Sequence, residues 1–199
     1  MAEPNFRSCI AEAELRARAA YAEPHRHYHD ERHLDECLRQ LDQADDLSGR
    51  ERQLLRWAIL WHDAIYDPGL TGNEDRSAIL AERELSDCGV EAADAAEVAR
   101  LIRLTERHKA DPIDRLGALL ISIDLAILGS DPDRYRRYVR DVRAEYTHVP
   151  DPMWRAGRSE VLQRLLRAEP LYPEPGFRDR FEAQARLNMD DELKTLAAG

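Results

Sequence analysis

Apolar residues along this chain recur at helical intervals, and nowhere is there a sustained strand-like alternation. Leu34, Cys37, Leu38 and Leu41 form one stripe, which predicts a helix over about 30–45. Ser48 and Glu51 have the spacing of a capping box, opening a helix that reaches about 66, on which Leu54, Ala58, Trp61 and Ile65 share a face. A first helix over about 6–22 stops before Pro24. Gly69 and Gly72 mark a loop, Asn73 is placed to cap a helix that stops before Gly89, and a further helix covers about 91–108. The pairs Asp111-Pro112, Asp131-Pro132 and Asp151-Pro152 each offer an N-cap acceptor followed by a proline at the first helical position. They predict helices over about 112–128, 132–146 and 152–168, and a proline-rich stretch at 170–175 precedes a last helix over about 176–196. The pattern predicts an all-α fold, a compact bundle of many helices in a single domain, 1–199.

Composition agrees. Apolar residues make up 43% of the 199, enough for a sizeable core, and only three are Phe. The net charge of −10 comes from 29 basic and 39 acidic residues that are interleaved, so no basic patch offsets repulsion of a nucleic-acid polymer. A small anionic substrate held by a metal stays compatible with that charge. Cys9, Cys37 and Cys88 are an odd set without metal-type spacing; they read as reduced thiols and suggest a cytoplasmic setting. The apolar run 116–128 is too short to span a bilayer and contains Asp124, and the N-terminus has no signal-peptide stretch. A soluble protein is expected, with no membrane partner.

Three places carry chemistry. Asp124 sits in an almost uniformly apolar helix, where a carboxylate requires a cation, a metal or hydrogen-bond donors; a structural salt bridge to an arginine answers as well as a metal. His62-Asp63 lies near the end of the helix through Leu54 and Ala58, so His62 is expected to point inward; an isolated His-Asp pair is most often a core histidine with its own aspartate. The third is the run His25, His27, His29 and His33. After Pro24 the stretch up to about His29 reads as a turn, and His33 alone falls firmly within the next helix; for His25 and His27 a solvated loop is the expected role.

The order His33, then His62-Asp63, then Asp124, each placed on its own helix, resembles the HD superfamily of metal-dependent phosphohydrolases. Arg26-His27-Tyr28-His29-Asp30-Glu31-Arg32-His33-Leu34 is similar to the family's first-histidine helix, and Trp61-His62-Asp63-Ala64-Ile65-Tyr66-Asp67-Pro68 to its His-Asp helix. Asn73-Glu74-Asp75-Arg76-Ser77-Ala78, Thr105-Glu106-Arg107-His108 and Ile123-Asp124-Leu125-Ala126-Ile127-Leu128-Gly129 resemble further blocks of a small branch of that superfamily. The likeness covers about 24–129, with C-terminal helices over 130–199 expected to pack on that core; Ala185-Arg186-Leu187-Asn188 matches the branch more weakly.

The resemblance implies one divalent ion (Mn, Fe, Co, Ni, Zn or Mg) held by His33, His62, Asp63 and Asp124, a donor mix that suits such ions. It implies hydrolysis of a phosphoester, of a nucleotide or a related small phosphorylated metabolite, by metal-activated water. Asp67, and alternatively Glu74, are the candidates for steering that water. His108, Lys109, Arg26 and His29 are the candidates for holding substrate phosphate. Only His108 lies between the His-Asp pair and the last Asp, which favours one metal over two and weakens a metal-dependent oxygenase reading; His29 and Glu74 keep a second metal open. A regulatory module that binds metal and nucleotide without catalysis is the main competitor, and a homodimer stays open.

Overall fold

The computed structural model describes residues 6–198, and among them there are nine α-helices, one short 3-10 turn and no strand. The all-α expectation is met. The chain forms two compact units, Met1–Lys109 and Ala110–Gly199, so that 110–129, grouped with the motif core on sequence grounds, belongs to the second.

The first unit holds α1 (Phe6–Ala20), α2 (Glu31–Asp42), α3 (Gly49–Trp61), α4 (Asn73–Asp87) and α5 (Ala92–Leu104). α3 is its centre and packs against the other four. Leu54, Leu55, Ala58, Ile59 and Trp61 are almost wholly buried, because α3 is apolar on more than one side. The capping box forms as the sequence indicates: Glu51 N–H donates to Ser48 Oγ, and Ser48 N–H to Glu51 Oε2 at 2.8 Å. The indoles fasten neighbours to α3, with Trp57 Nε1 donating to Glu14 of α1 and Trp61 Nε1 to Glu84 of α4. Arg52 of α3 donates to the carbonyls of Leu41 and Ala44, satisfying the exposed end of α2. α4 closes in a Schellman turn, in which Gly89 at φ 86° sits in a region that disfavours a side chain and Val90 N–H reaches Leu85 O at 3.0 Å.

The second unit holds α6 (Arg115–Asp124), the 3-10 turn Leu125–Gly129, α7 (Pro132–Glu145), α8 (Asp151–Leu166) and α9 (Pro175–Ala198). The 3-10 turn is the hub, touched by α6, α7 and α9. Its carbonyls are taken by side chains: Tyr172 Oη donates to Leu125 O, and Asn188 Nδ2 to Leu128 O and Ser130 O. A Cβ on Gly129 would lie 2.5 Å from Phe181 Cβ and 2.7 Å from Phe181 O, so glycine is what lets α9 approach.

Several boundary expectations are corrected. The helix expected over 112–128 begins at Arg115 and ends at Asp124 before the tighter turn. Asp111 is spent on a turn, accepting from Ile113 N–H, and Asp114 becomes the cap by accepting from Gly117 N–H. Asp131-Pro132 starts its helix as expected, with Asp131 accepting from Asp133 and Arg134 N–H. Asp151 does not cap: Arg143 Nη2 draws its carboxylate to 2.6 Å, and the helix starts with Pro150 in the cap position. Asn73 is the first helical residue rather than the cap, which is Gly72; its side chain instead binds Asp67 and Leu70 in the preceding loop.

Two further corrections bear on chemistry. Cys9 and Cys88 are joined in a disulfide with Cα atoms 5.4 Å apart, tying the start of α1 to the end of α4, so the reading of three reduced thiols fails for this pair. Their 79-residue separation hid the pairing, which the packing of α1 on α4 creates. Cys37 is a buried thiol outside it. No described helix is long and apolar enough to cross a membrane.

Candidate metal centre

Two elements of the first unit build a cluster of donor atoms. His33 enters on the first turn of α2, whose N-cap Asp30 accepts from the Arg32 and His33 N–H groups. The preceding segment, including His25 to His29, is a turn, as expected from Pro24, and His25 and His27 are exposed. α3 ends at Trp61, so His62 is its C-cap and Asp63 lies in the turn beyond, a tighter arrangement than the helical His-Asp pair foreseen. That turn lets adjacent side chains point at the same spot, where consecutive helical positions diverge by about 100°.

The three side chains converge. His33 Nε2 and His62 Nε2 are 3.1 Å apart, His62 Nε2 and Asp63 Oδ2 are 3.1 Å apart, and His33 Nε2 and Asp63 Oδ2 are 3.7 Å apart. Both histidines are buried and the Asp63 side chain keeps 14% exposure, so the cluster touches solvent through the carboxylate.

Protonation follows from the neighbours. His62 Nδ1 lies 2.7 Å from Ile59 O, which only accepts, so Nδ1 carries a hydrogen. In a neutral His62 the Nε2 is then bare, and it faces a carboxylate oxygen and a second imidazole nitrogen at hydrogen-bond range. The gap is bridged by an Nε2–H of His33, by a proton that makes His62 an imidazolium, or by a metal ion. Donors sharing one ion at about 2.1 Å stand about 3.0–3.6 Å apart for angles of about 90–120°. The distances here match that spacing closely, and two imidazoles with a carboxylate suit a divalent transition ion. Burial raises the Asp63 carboxyl pKa, but the charge and hydrogen bond of His62, with the charges of His29 and His33, outweigh it and hold Asp63 well below the usual carboxylate range.

Arg26, expected among the phosphate contacts, is engaged with the protein's own backbone. Its guanidinium is wholly buried and donates to Asp63 O at 2.6 Å, His29 O at 3.2 Å and Ala64 O at 3.4 Å, and it pairs with Glu23. It braces the turn that bears Asp63. Tyr21, missed in the sequence, braces the same turn: it is 1% exposed and its Oη accepts from Asp63 N–H at 3.2 Å. The signal was faint, a tyrosine one residue past the end of an amphipathic helix. Behind the cluster, Ser77 Oγ of α4 accepts from Ile65 N–H and donates to Ile65 O.

The other candidates lie on other elements. His29 is half-buried beside the cluster, its ring stacked on Tyr66 at 4.3 Å between centroids and 5.9 Å from the ring of His33. Asp67 does not follow Asp63 by a helical turn, because the helix has ended; it is exposed and its Oδ1 accepts from Gly69 N–H. Glu74 is half-buried in the first turn of α4. His108 follows α5 with φ 50°, half-buried, and Lys109 beside it is exposed. Asp124 belongs to the second unit, where it ends α6; it is half-buried rather than buried, and its charge helps to raise the pKa of Tyr138.

Comparison of the chain with known protein families, with curated proteins and with solved structures finds no match.

Proposed function

We propose that this protein is a divalent-metal-dependent phosphohydrolase of the HD type, acting on a nucleotide or another small phosphorylated metabolite. One observation carries the metal: His33 Nε2, His62 Nε2 and Asp63 Oδ2 meet within 3.1–3.7 Å while the far nitrogen of His62 is already a donor to Ile59 O. The step to phosphoester hydrolysis rests on the resemblance of the sequence blocks around these residues. That resemblance also names Asp124 as the fourth ligand.

His33, His62 and Asp63 would hold the ion. An ion so held polarises a phosphoryl oxygen and acidifies water. The Ile59 carbonyl fixes the tautomer and ring angle of His62, as carbonyl partners do for ligating imidazoles. Glu74 is the better candidate for orienting the attacking water, since the Asp67 carboxylate is engaged in its own turn. His29 and His108, both half-buried, are the candidates for donating hydrogen bonds to substrate phosphate.

Elemental analysis of the purified protein, followed by phosphate-release assays with that metal over mono-, di- and cyclic nucleotides, tests the reading. About one equivalent of a divalent transition ion and metal-dependent phosphate release support it. Metal binding without release on any phosphoester points to the regulatory module. Absence of metal, with His62 as an imidazolium, reduces the cluster to a structural His-Asp pair. Asp124→Asn in the same assays tests the fourth ligand, whose loss lowers metal content.

A further inference from the structure

We infer that Tyr21 is a positioning residue of the candidate metal centre, its hydroxyl locking the His62-Asp63 turn that carries two of the ligands. The inference rests on the metal reading above and adds to it the group that organises the ligands.

Tyr21 follows the last residue of α1, and its ring is fixed from outside by the Arg26 guanidinium at 5.2 Å from the ring centroid. The hydroxyl lies in the middle of the turn: 3.3 Å from Ile59 O, 3.3 Å from His62 Nδ1 and 3.2 Å from Asp63 N. These contacts allow one consistent proton arrangement. Asp63 N–H donates to the Tyr21 oxygen. Ile59 O, with two lone pairs, accepts from both the Tyr21 hydroxyl and His62 Nδ1–H. His62 Nδ1 therefore does not accept from Tyr21, and its Nε2 lone pair is left facing His33 and Asp63.

The hydroxyl thus satisfies the Asp63 amide in the turn beyond α3, and shares the Ile59 carbonyl with His62. In its absence the part-buried Asp63 N–H lacks this acceptor, and the turn relaxes to find another. Because both ligands are on that turn, the displacement reaches the donor atoms. Arg26 fixes the same turn through its carbonyls, so the ring and the guanidinium together grip its two sides.

The experiment is Tyr21→Phe, which keeps the buried ring and removes only the hydroxyl. Two readouts are taken: Co²⁺ binding followed by the visible bands of the bound ion, and hydrogen exchange of the Asp63 amide by ¹⁵N NMR in metal-free protein. The expected result is Co²⁺ affinity about tenfold to a hundredfold weaker with altered bands, as for loss of other groups that orient metal ligands. The Asp63 amide should exchange faster. A variant with lowered melting temperature but unchanged Co²⁺ affinity, bands and Asp63 exchange overturns the inference and leaves the metal reading intact. Wild-type protein that binds no Co²⁺ overturns the metal reading; the exchange comparison then still decides whether Tyr21 locks the turn.

Discussion

Each unit buries a polar cluster, and the two are built oppositely. In the second unit Arg158 and Glu192 are a bidentate pair, Nε to Oε1 at 2.7 Å and Nη2 to Oε2 at 3.1 Å. Tyr135 Oη donates to Glu192 Oε2 at 2.5 Å, and Arg158 Nη1 donates to Tyr138 Oη at 3.1 Å. The two charges there are opposite and paired directly, and both tyrosine hydroxyls are bound to the pair. In the first unit the donor atoms of His33, His62 and Asp63 converge on one point, a grouping suited to a metal ion. Burial alone therefore does not separate the two clusters; the balance of charge within the buried set does.

This contrast predicts opposite responses to mutation. Asp63→Asn should lower metal affinity about a hundredfold, since a charged ligand becomes neutral, and should cost metal-free stability less than the loss of a fully buried pair, since the Asp63 carboxylate keeps contact with solvent. Arg158→Met should do the reverse: removing one partner of a buried pair costs about 3–5 kcal/mol, and metal content stays unchanged. Denaturant melts with and without chelator separate the two. Equal destabilisation by both substitutions would break the distinction between the clusters. Pairing Arg158→Met with Glu192→Leu should recover much of the loss, because no charge is then stranded.

The disulfide gives a smaller effect, confined to the unit with the metal candidate. Closing a loop across the 79-residue separation stabilises by about 2–4 kcal/mol, so Cys9→Ser/Cys88→Ser should lower the unfolding free energy from denaturant melts by that amount, and a reducing agent should do the same to wild type. In the second unit Gly129→Ala should cost about 1–3 kcal/mol, because a methyl group has no room against Phe181 and α9 must shift; chemical denaturation measures it.

Alkaline pH sharpens the comparison further. Burial, aided by Glu192, raises the pKa of Tyr135; burial raises Tyr138 and Tyr172 in the second unit, and burial with Asp63 raises Tyr21 in the first. A phenol whose native pKa lies above its unfolded value of about 10 contributes stability that is full below that pH and lost as pH rises beyond it. Ultraviolet titration should therefore show these phenolates appearing together with unfolding above about pH 10. Three of the four belong to the second unit, and local probes there should report loss of structure first.

How much of this was legible depended on the range of each signal. The helices came through because an apolar stripe, a capping box and Asp131-Pro132 act within a few residues. Asp151 failed as a cap because Arg143, on the preceding helix, competed for its carboxylate. Asp111 lost its role to Asp114, three positions on, and propensity does not rank two eligible caps. Asp124 was expected to be buried from the apolar residues around it, but α6 stops there and the chain tightens into the 3-10 turn, whose carbonyls Tyr172 and Asn188 stabilise from far along the sequence.

The sequence by itself determined the helical architecture, the inward placement of His62, the place of His33 on a helix, and the candidacy of His62-Asp63, since side-chain periodicity and residue chemistry are local properties. Only the tertiary structure decided that His33, 29 residues from His62, meets it at 3.1 Å. It also decided that Cys9 pairs with Cys88, that Arg26 turns inward to hold backbone carbonyls, and that Tyr21 closes the turn at Asp63. Those contacts depend on how α1, α2 and α4 pack around α3 to within an ångström, and that precision comes from many weak apolar contacts summed over the core, which no short stretch of sequence encodes.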